Sequence, residues 1–199
     1  MSEGYVGVKF TTVYKDKIAP LHPHLDELKN WCRLFHDKGL APPYPGGSYG
    51  NLSFRTERDS FIITGTCIGL KDTLGNDCFV EIHDCNADTK EILVTGNRPP
   101  SSETFMHYII YHNRPDVQAI FHGHNQQITE NAALLTIPET AKEVPYGTVE
   151  LAESVLAILG NNNFFVIKAH GFVSLGGNMD EAGKLACAWL EQTPQIKKL

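Results

Sequence analysis

One stretch constrains this chain more than any other: residues 99–125, Pro-Pro-Ser-Ser-Glu-Thr-Phe-Met-His-Tyr-Ile-Ile-Tyr-His-Asn-Arg-Pro-Asp-Val-Gln-Ala-Ile-Phe-His-Gly-His-Asn. It predicts a helix followed by a buried strand. Ser101 or Ser102 is a strong N-cap behind two prolines, and the helix should run to about Asn113, stopping before Pro115. Residues 117–121 are apolar and deliver His122-Gly123-His124. Residues two apart on a strand face the same way, so the two imidazoles can share one divalent cation. Glu103 lies in the first turn of the helix. It either complements the helix dipole or, beside a metal, moves protons next to a polarised carbonyl.

A third ligand is readable further on. Residues 164–170, Phe-Phe-Val-Ile-Lys-Ala-His, form another apolar strand ending in histidine, with a second strand over 172–175. His170 joins His122 and His124, and three neutral imidazoles leave a coordination position open, as a catalytic zinc site requires. A second His-x-His, His22-Pro23-His24, reads differently. Its proline and the spacing of Leu25, Leu28, Trp31, Cys32 and Phe35 put it at the start of an amphipathic helix ending at Gly39, which does not align two imidazoles.

The remaining segments supply turns and scaffolding. Residues 42–47 form a Pro/Gly loop, and the turn before Asn51-Leu52-Ser53-Phe54-Arg55 is either a simple hairpin turn or a place where backbone N–H groups meet an anion. The strand over 61–64 enters a second such turn at Gly65-Thr66. Short strands are expected over 78–82 and 91–94, with His83, Asp84 and Cys85 on the surface. Helices are expected over 126–135, from the Thr148 cap to Gly160, and over 180–191; residues 1–20 show no clear period.

The totals bound the class. A chain of 199 residues reads as one domain, 1–199, and can bury a core without staples. A net charge of -6 disfavours nucleic acid and anionic membranes as partners, and no apolar run approaches the ~20 residues of a span. The five cysteines are scattered, without a Cys-x-x-Cys pair, and the N-terminus lacks a signal-peptide pattern. The expectation is a cytoplasmic protein with reduced thiols.

Taken together, Gly50-Asn51-Leu52-Ser53-Phe54-Arg55, Ile63-Thr64-Gly65-Thr66, Ser101-Ser102-Glu103, His122-Gly123-His124 and His170-Gly171 resemble the class II aldolase/adducin-head family, from about residue 30 to 191. The resemblance implies an α/β fold, a three-layer α/β/α sandwich with a mainly antiparallel central sheet, and a homotetramer with sites between subunits. It implies Zn2+, with Mn2+ or Co2+ as alternatives, on His122, His124 and His170, and Glu103 as acid/base. It implies that Gly50, Asn51, Thr66, Ser101 and Ser102 bind the phosphate of a small phosphorylated sugar or related hydroxycarbonyl compound. The implied reaction is retro-aldol cleavage of a phosphorylated ketose. A pentulose-phosphate 4-epimerase and a non-catalytic metal- or metabolite-binding homo-oligomer are the alternatives; Glu103 rather than Asp favours the aldolase.

Three departures from the family pattern stand out. Cys67 replaces the usual glycine of the phosphate turn. The segment between His124 and Pro145 is short and supplies no equivalent of the family's proton-donating tyrosine, Tyr146 aligning elsewhere. The tail after Trp189 is short and carries no aromatic residue.

Overall fold

A computed structural model describes residues 7–193. In chain order its elements are β1 (Thr11–Asp16), α1 (Leu25–Asp37), β2 (Pro43–Tyr44), β3 (Gly47–Ser48), β4 (Asn51–Arg55), β5 (Phe61–Thr64), β6 (Phe79–Asn86), β7 (Glu91–Thr95), α2 (Thr104–Asn113), β8 (Ala119–Gly123), α3 (Gln126–Glu130), α4 (Val149–Leu159), β9 (Phe164–Ile167), β10 (Gly171–Gly176) and α5 (Met179–Gln192). Eight strands form one sheet in the order β1-β7-β6-β5-β4-β8-β10-β9. Every pairing in it is antiparallel except that of β1 with β7.

Helices cover both faces of this sheet. On one face α1 and α5 pack Leu28, Trp31, Phe35 and Ala182 against Leu52, Phe121, Phe164 and Phe172. On the other, α2 and α4 pack Met106, Ile110, Leu151 and Val155 against Ile63, Ile120, Phe165 and Val173. The result is the expected three-layer α/β/α arrangement. Because both faces are covered, the central strands are buried along nearly their whole length, and polar residues on them do not face water.

Strand alternation sorts the residues that matter. Leu52 and Phe54 of β4 face α1, which leaves Asn51 and Ser53 facing α2. Ala119 and Phe121 of β8 face the α1 side, which leaves Ile120 and His122 facing the α2 side. The end of β8 and the start of β4 are paired, Asn51 opposite His122. The mouth of α2 therefore looks onto the ends of two adjacent strands.

The structure revises several boundaries. Residues 11–16 form an edge strand whose burial is too slight to leave a strong period in the sequence. The strand expected over 78–82 continues to Asn86 through a bulge against β7, and Cys85 is buried rather than on the surface. His83 bonds Thr95 Oγ1 at 2.9 Å, and Asp84 is exposed. The helix expected over 126–135 ends at Glu130; just beyond it the Asn131 side chain takes the Gln127 carbonyl at 2.8 Å, competing with the helical amides. The strand expected to reach His170 ends at Ile167, and His170 sits on the tight connection to β10, just after Ala169 in left-handed backbone (φ 56). Among the described residues no helix is long and apolar enough to cross a membrane. The tail from residue 194 lies outside them.

Candidate metal centre

Three elements bring four side chains to one point. His122 ends β8, His124 follows it, His170 comes from the β9–β10 connection, and Glu103 immediately precedes α2. One ligand atom from each lies within 4.8 Å of every other. Glu103 Oε1 is 2.7 Å from His170 Nε2, Glu103 Oε2 is 3.1 Å from His122 Nε2, and His122 Nε2 is 3.0 Å from His124 Nε2. The His122 and His170 rings stack at 5.1 Å, 5° from parallel.

Glycine makes this approach possible in two places. Gly50 adopts φ +76, and a Cβ there would stand 2.5 Å from the His122 carbonyl. A Cβ on Gly171 would stand 2.8 Å from His122 Cε1. Neither position accepts a side chain without moving a ligand.

The donor set fits a cation. His122 Nδ1 is 2.8 Å from the Phe172 carbonyl, which can only accept, so Nδ1 carries the proton and Nε2 turns its lone pair into the cluster. There it meets His124 Nε2 and a carboxylate oxygen, two further electron-pair donors, in a buried place. Such a convergence is unfavourable unless positive charge sits among the donors. Burial, and after it the facing His122 and His170, push His124 well below the ordinary imidazole value, which favours its neutral form. Burial would raise the Glu103 carboxyl, but His122 and His170 outweigh it and hold the group well below the usual carboxylate range. Among the described residues this is the one cluster of three or more ligating side chains that could hold a metal ion.

Ser101 and Ser102 do not cap α2 through their hydroxyls. The N-cap position is Glu103, and no side chain caps it. Backbone carbonyls do that work: Ser101 O takes the Thr104 amide at 3.1 Å, and Glu103 O takes the Met106 amide at 3.0 Å. Glu103 thus stands just before the first helical turn, its carboxylate aimed at the histidines rather than spent on the helix end. The residues assigned to a phosphate gather around it. Thr66 N bonds Pro99 O at 3.1 Å and Ser101 N bonds Thr64 O at 3.1 Å, so the turn after β5 and the two serines are tied together. Cys67 in this turn takes the left-handed conformation, φ 53, that glycine adopts freely, and it is exposed.

Asn51 is turned inward. Its Nδ2 donates to Glu103 Oε2 at 2.7 Å and its Oδ1 is 2.6 Å from His107 Nε2, leaving one amide hydrogen for a ligand. His107, Ser53 and Tyr111 complete a buried polar set that the sequence reading did not pick out. The signal was present: Glu103, His107 and Tyr111 recur every four residues on α2, facing Asn51 and Ser53 two apart on β4. Tyr49, also missed, stacks on His124 with ring centroids 4.9 Å apart. Lys71 is buried beneath the same turn and donates to Ser48 Oγ at 2.9 Å, Ser48 O at 3.2 Å and Tyr49 O at 3.0 Å. Burial pushes its ammonium down to about 8. His22 and His24 lie 5.5 Å apart against Phe54, away from the cluster, as the proline and helix start predict. Tyr146 is buried, with Lys9 Nζ on its carbonyl at 2.7 Å.

Known proteins agree with this architecture. The family described as class II aldolase and adducin N-terminal domain matches residues 26–196. An L-fuculose phosphate aldolase of Methanococcus maripaludis is 34% identical over 173 residues, covering 79% of this chain and 87% of that protein. A 5-methylthioribulose-1-phosphate/5-deoxyribulose-1-phosphate aldolase of Rhodospirillum rubrum is 29% identical, covering 85% and 76%. Among solved structures, an L-fuculose 1-phosphate aldolase superposes with a TM-score of 0.67 over 83% of this chain and 80% of that one, at 25% identity. The chain belongs to the class II aldolase and adducin N-terminal domain family, and its fold is that of the class II aldolases.

Proposed function

We propose that this protein is a zinc-dependent aldolase that cleaves a small phosphorylated ketose by a retro-aldol step. The observation that carries the reading is the convergence of Glu103 with three imidazole ligands, in a chain whose relatives are named as sugar-phosphate aldolases. His122, His124 and His170 would hold the ion, and Zn2+ suits three neutral imidazoles, although Mn2+ and Co2+ are accepted by the same set. The bound ion supplies Lewis-acid polarisation of the ketose carbonyl.

The protein's own groups do the rest. Glu103 is the acid/base. It is oriented by Asn51, whose Nδ2 donates to Oε2, so it is placed to take a proton from the hydroxyl whose carbon–carbon bond breaks. Gly50, the Thr66 turn, Ser101 and Ser102 form a rim of small residues and neutral donors for the phosphate. The Lys71 ammonium, hydrogen-bonded to the carbonyls of the 48–49 turn, adds positive charge behind it. Residues 1–199 act as one domain, and four copies assemble as in the family pattern.

The test pairs metal analysis with turnover. Purified wild-type protein should carry about one zinc per chain, the His122→Ala, His124→Ala variant none, and wild type should release an aldehyde from ketose 1-phosphates. Glu103→Gln should keep its metal and lose turnover by a factor of about 10² to 10⁴. Protein that neither contains nor takes up metal sinks the reading. Sedimentation at the mass of a monomer would remove the tetramer.

A further inference from the structure

Behind Glu103 runs a line of four buried polar side chains whose hydrogen-bond directions can all be assigned. Asn51, Ser53, His107 and Tyr111 are each at most 4% exposed. The assignment starts where Asn51 Nδ2 donates to Glu103 Oε2 at 2.7 Å, which leaves Asn51 Oδ1 as the acceptor for its other neighbour. Asn51 Oδ1 then faces His107 Nε2 at 2.6 Å, and Nε2 must carry the proton. His107 is neutral, since burial pushes its imidazolium down to about 3, so Nδ1 is bare. Ser53 Oγ, 2.7 Å away, must donate to that nitrogen. Having given its only proton, Ser53 accepts from the Tyr111 hydroxyl at 2.8 Å. Each group has one orientation consistent with its neighbours.

We propose that His107 is a positioning residue, its ring seated on Ser53 and its Nε2–H on Asn51 Oδ1, that holds the Asn51 carboxamide so its N–H faces Glu103. The proposal rests on the aldolase reading for its effect on turnover, but not for its geometry. An Asn side chain can rotate by half a turn at little steric cost, exchanging donor for acceptor. A flipped Asn51 would set Oδ1 against the Glu103 carboxylate. That would withdraw a hydrogen bond from Glu103 Oε2 and leave the carboxylate free to turn away from its present position. His107 Nε2–H prevents the flip, because after it two donors, Nδ2 and Nε2, would face each other. If the imidazole proton moved to Nδ1, Ser53 could accept it and donate to Tyr111, but Asn51 would then have to turn its Oδ1 toward the Glu103 carboxylate to satisfy the bare Nε2. Asn51 itself touches Glu103; His107 acts one residue further back and touches neither substrate nor reacting atoms.

The experiment has a spectroscopic arm that needs neither metal nor substrate. In metal-free wild-type protein labelled with ¹⁵N-histidine, His107 should show a protonated Nε2 and a bare Nδ1 that persist well below neutral pH. An Nδ1–H tautomer or a charged ring at neutral pH overturns the proposal. The kinetic arm uses His107→Phe, His107→Gln and Ser53→Ala, each checked for folding and metal content. His107→Phe should keep wild-type metal content and a KM within a few-fold of wild type. It should lose kcat about ten- to a hundredfold, as expected for groups that orient an active-site residue. His107→Gln, which can still donate to Asn51, should recover part of that loss, and Ser53→Ala should fall between. A folded His107→Phe protein with wild-type kcat overturns the proposal. If His107→Phe fails to fold, the kcat of Ser53→Ala and the wild-type spectrum decide. If wild type turns over no ketose phosphate, the aldolase reading fails while the tautomer measurement still judges the network.

Discussion

The two sides of the candidate site are built differently. On one side, His122, Gly50, Asn51 and Gly171 sit at the ends of strands paired to each other in the middle of an eight-stranded sheet. On the other, residues 65–67 and 101–102 belong to turns, where a non-glycine residue stands in left-handed backbone and an exposed thiol lies on the rim. The first side is fixed by register, since a slip of one residue in β8 would turn His122 away from α2. The second is held by backbone bonds between the two turns, Thr66 N to Pro99 O and Ser101 N to Thr64 O, and not by strand register. Under the proposed function, the parts that would hold a metal and move protons depend on the whole fold, while the turns that would meet the rest of the substrate can vary more cheaply.

The contrast can be tested by loading each side. The largest effect should come from acid, which attacks the buried side. In the metal-free protein His107 and His124 have folded values below the ordinary 6.5, His107 at about 3. The unfolded chain therefore takes up protons first, and stability falls as pH drops from about 6.5 toward 3, by up to about 1.4 kcal/mol per pH unit for each such histidine. Glu103, held low in the fold, acts with the same sign at lower pH. Urea unfolding of metal-free protein at a series of pH values checks this. A flat profile between pH 6 and 4 would mean the buried side is not as dry as described, and His107→Gln should flatten part of the slope.

A smaller effect is expected from Gly50→Ala, which adds a methyl against the His122 carbonyl and forces alanine to φ +76. It should cost about 1–3 kcal/mol in thermal or urea unfolding and lower metal occupancy, because the nearest atom to yield belongs to a ligand residue. Unchanged metal binding would show that His122 is less rigidly held than its register implies.

The smallest effect belongs to the turn. Cys67→Gly removes the cost of left-handed backbone but adds freedom to the unfolded chain, so the net change should stay within about 1 kcal/mol. KM for a phosphorylated ketose should shift no more than a few-fold. A large loss of affinity on this change would assign the thiol a direct role and erase the distinction between the two sides.

The sequence made the first side legible and the second only partly so. Apolar runs ending in histidine, and a carboxylate next to a helix start, placed His122, His124, His170 and Glu103 together before any coordinates. Four points were not legible, each for a physical reason. Whether a polar residue on a strand faces water depends on whether a helix covers that face, so Ser53 read as ordinary alternation, and Asn51 was assigned to a phosphate with no sign of its bonds to Glu103 and His107. His107 and Tyr111 looked like part of an apolar helix, because their partners lie more than fifty residues away. The helix began one or two residues later than the serines predicted, because backbone carbonyls can replace a hydroxyl cap. The edge strand β1 left almost no pattern, having little to bury.

The β9–β10 hairpin has a consequence for how such a protein can change over time. Its short connection carries His170, and its returning strand carries the Phe172 carbonyl that sets the proton position on His122. One inserted or deleted residue between 167 and 171 would therefore displace one ligand and release the other at once. Length variation should be filtered out at this connection. A lineage that abandoned catalysis while keeping the fold would be expected to lose the constraint first in that five-residue window.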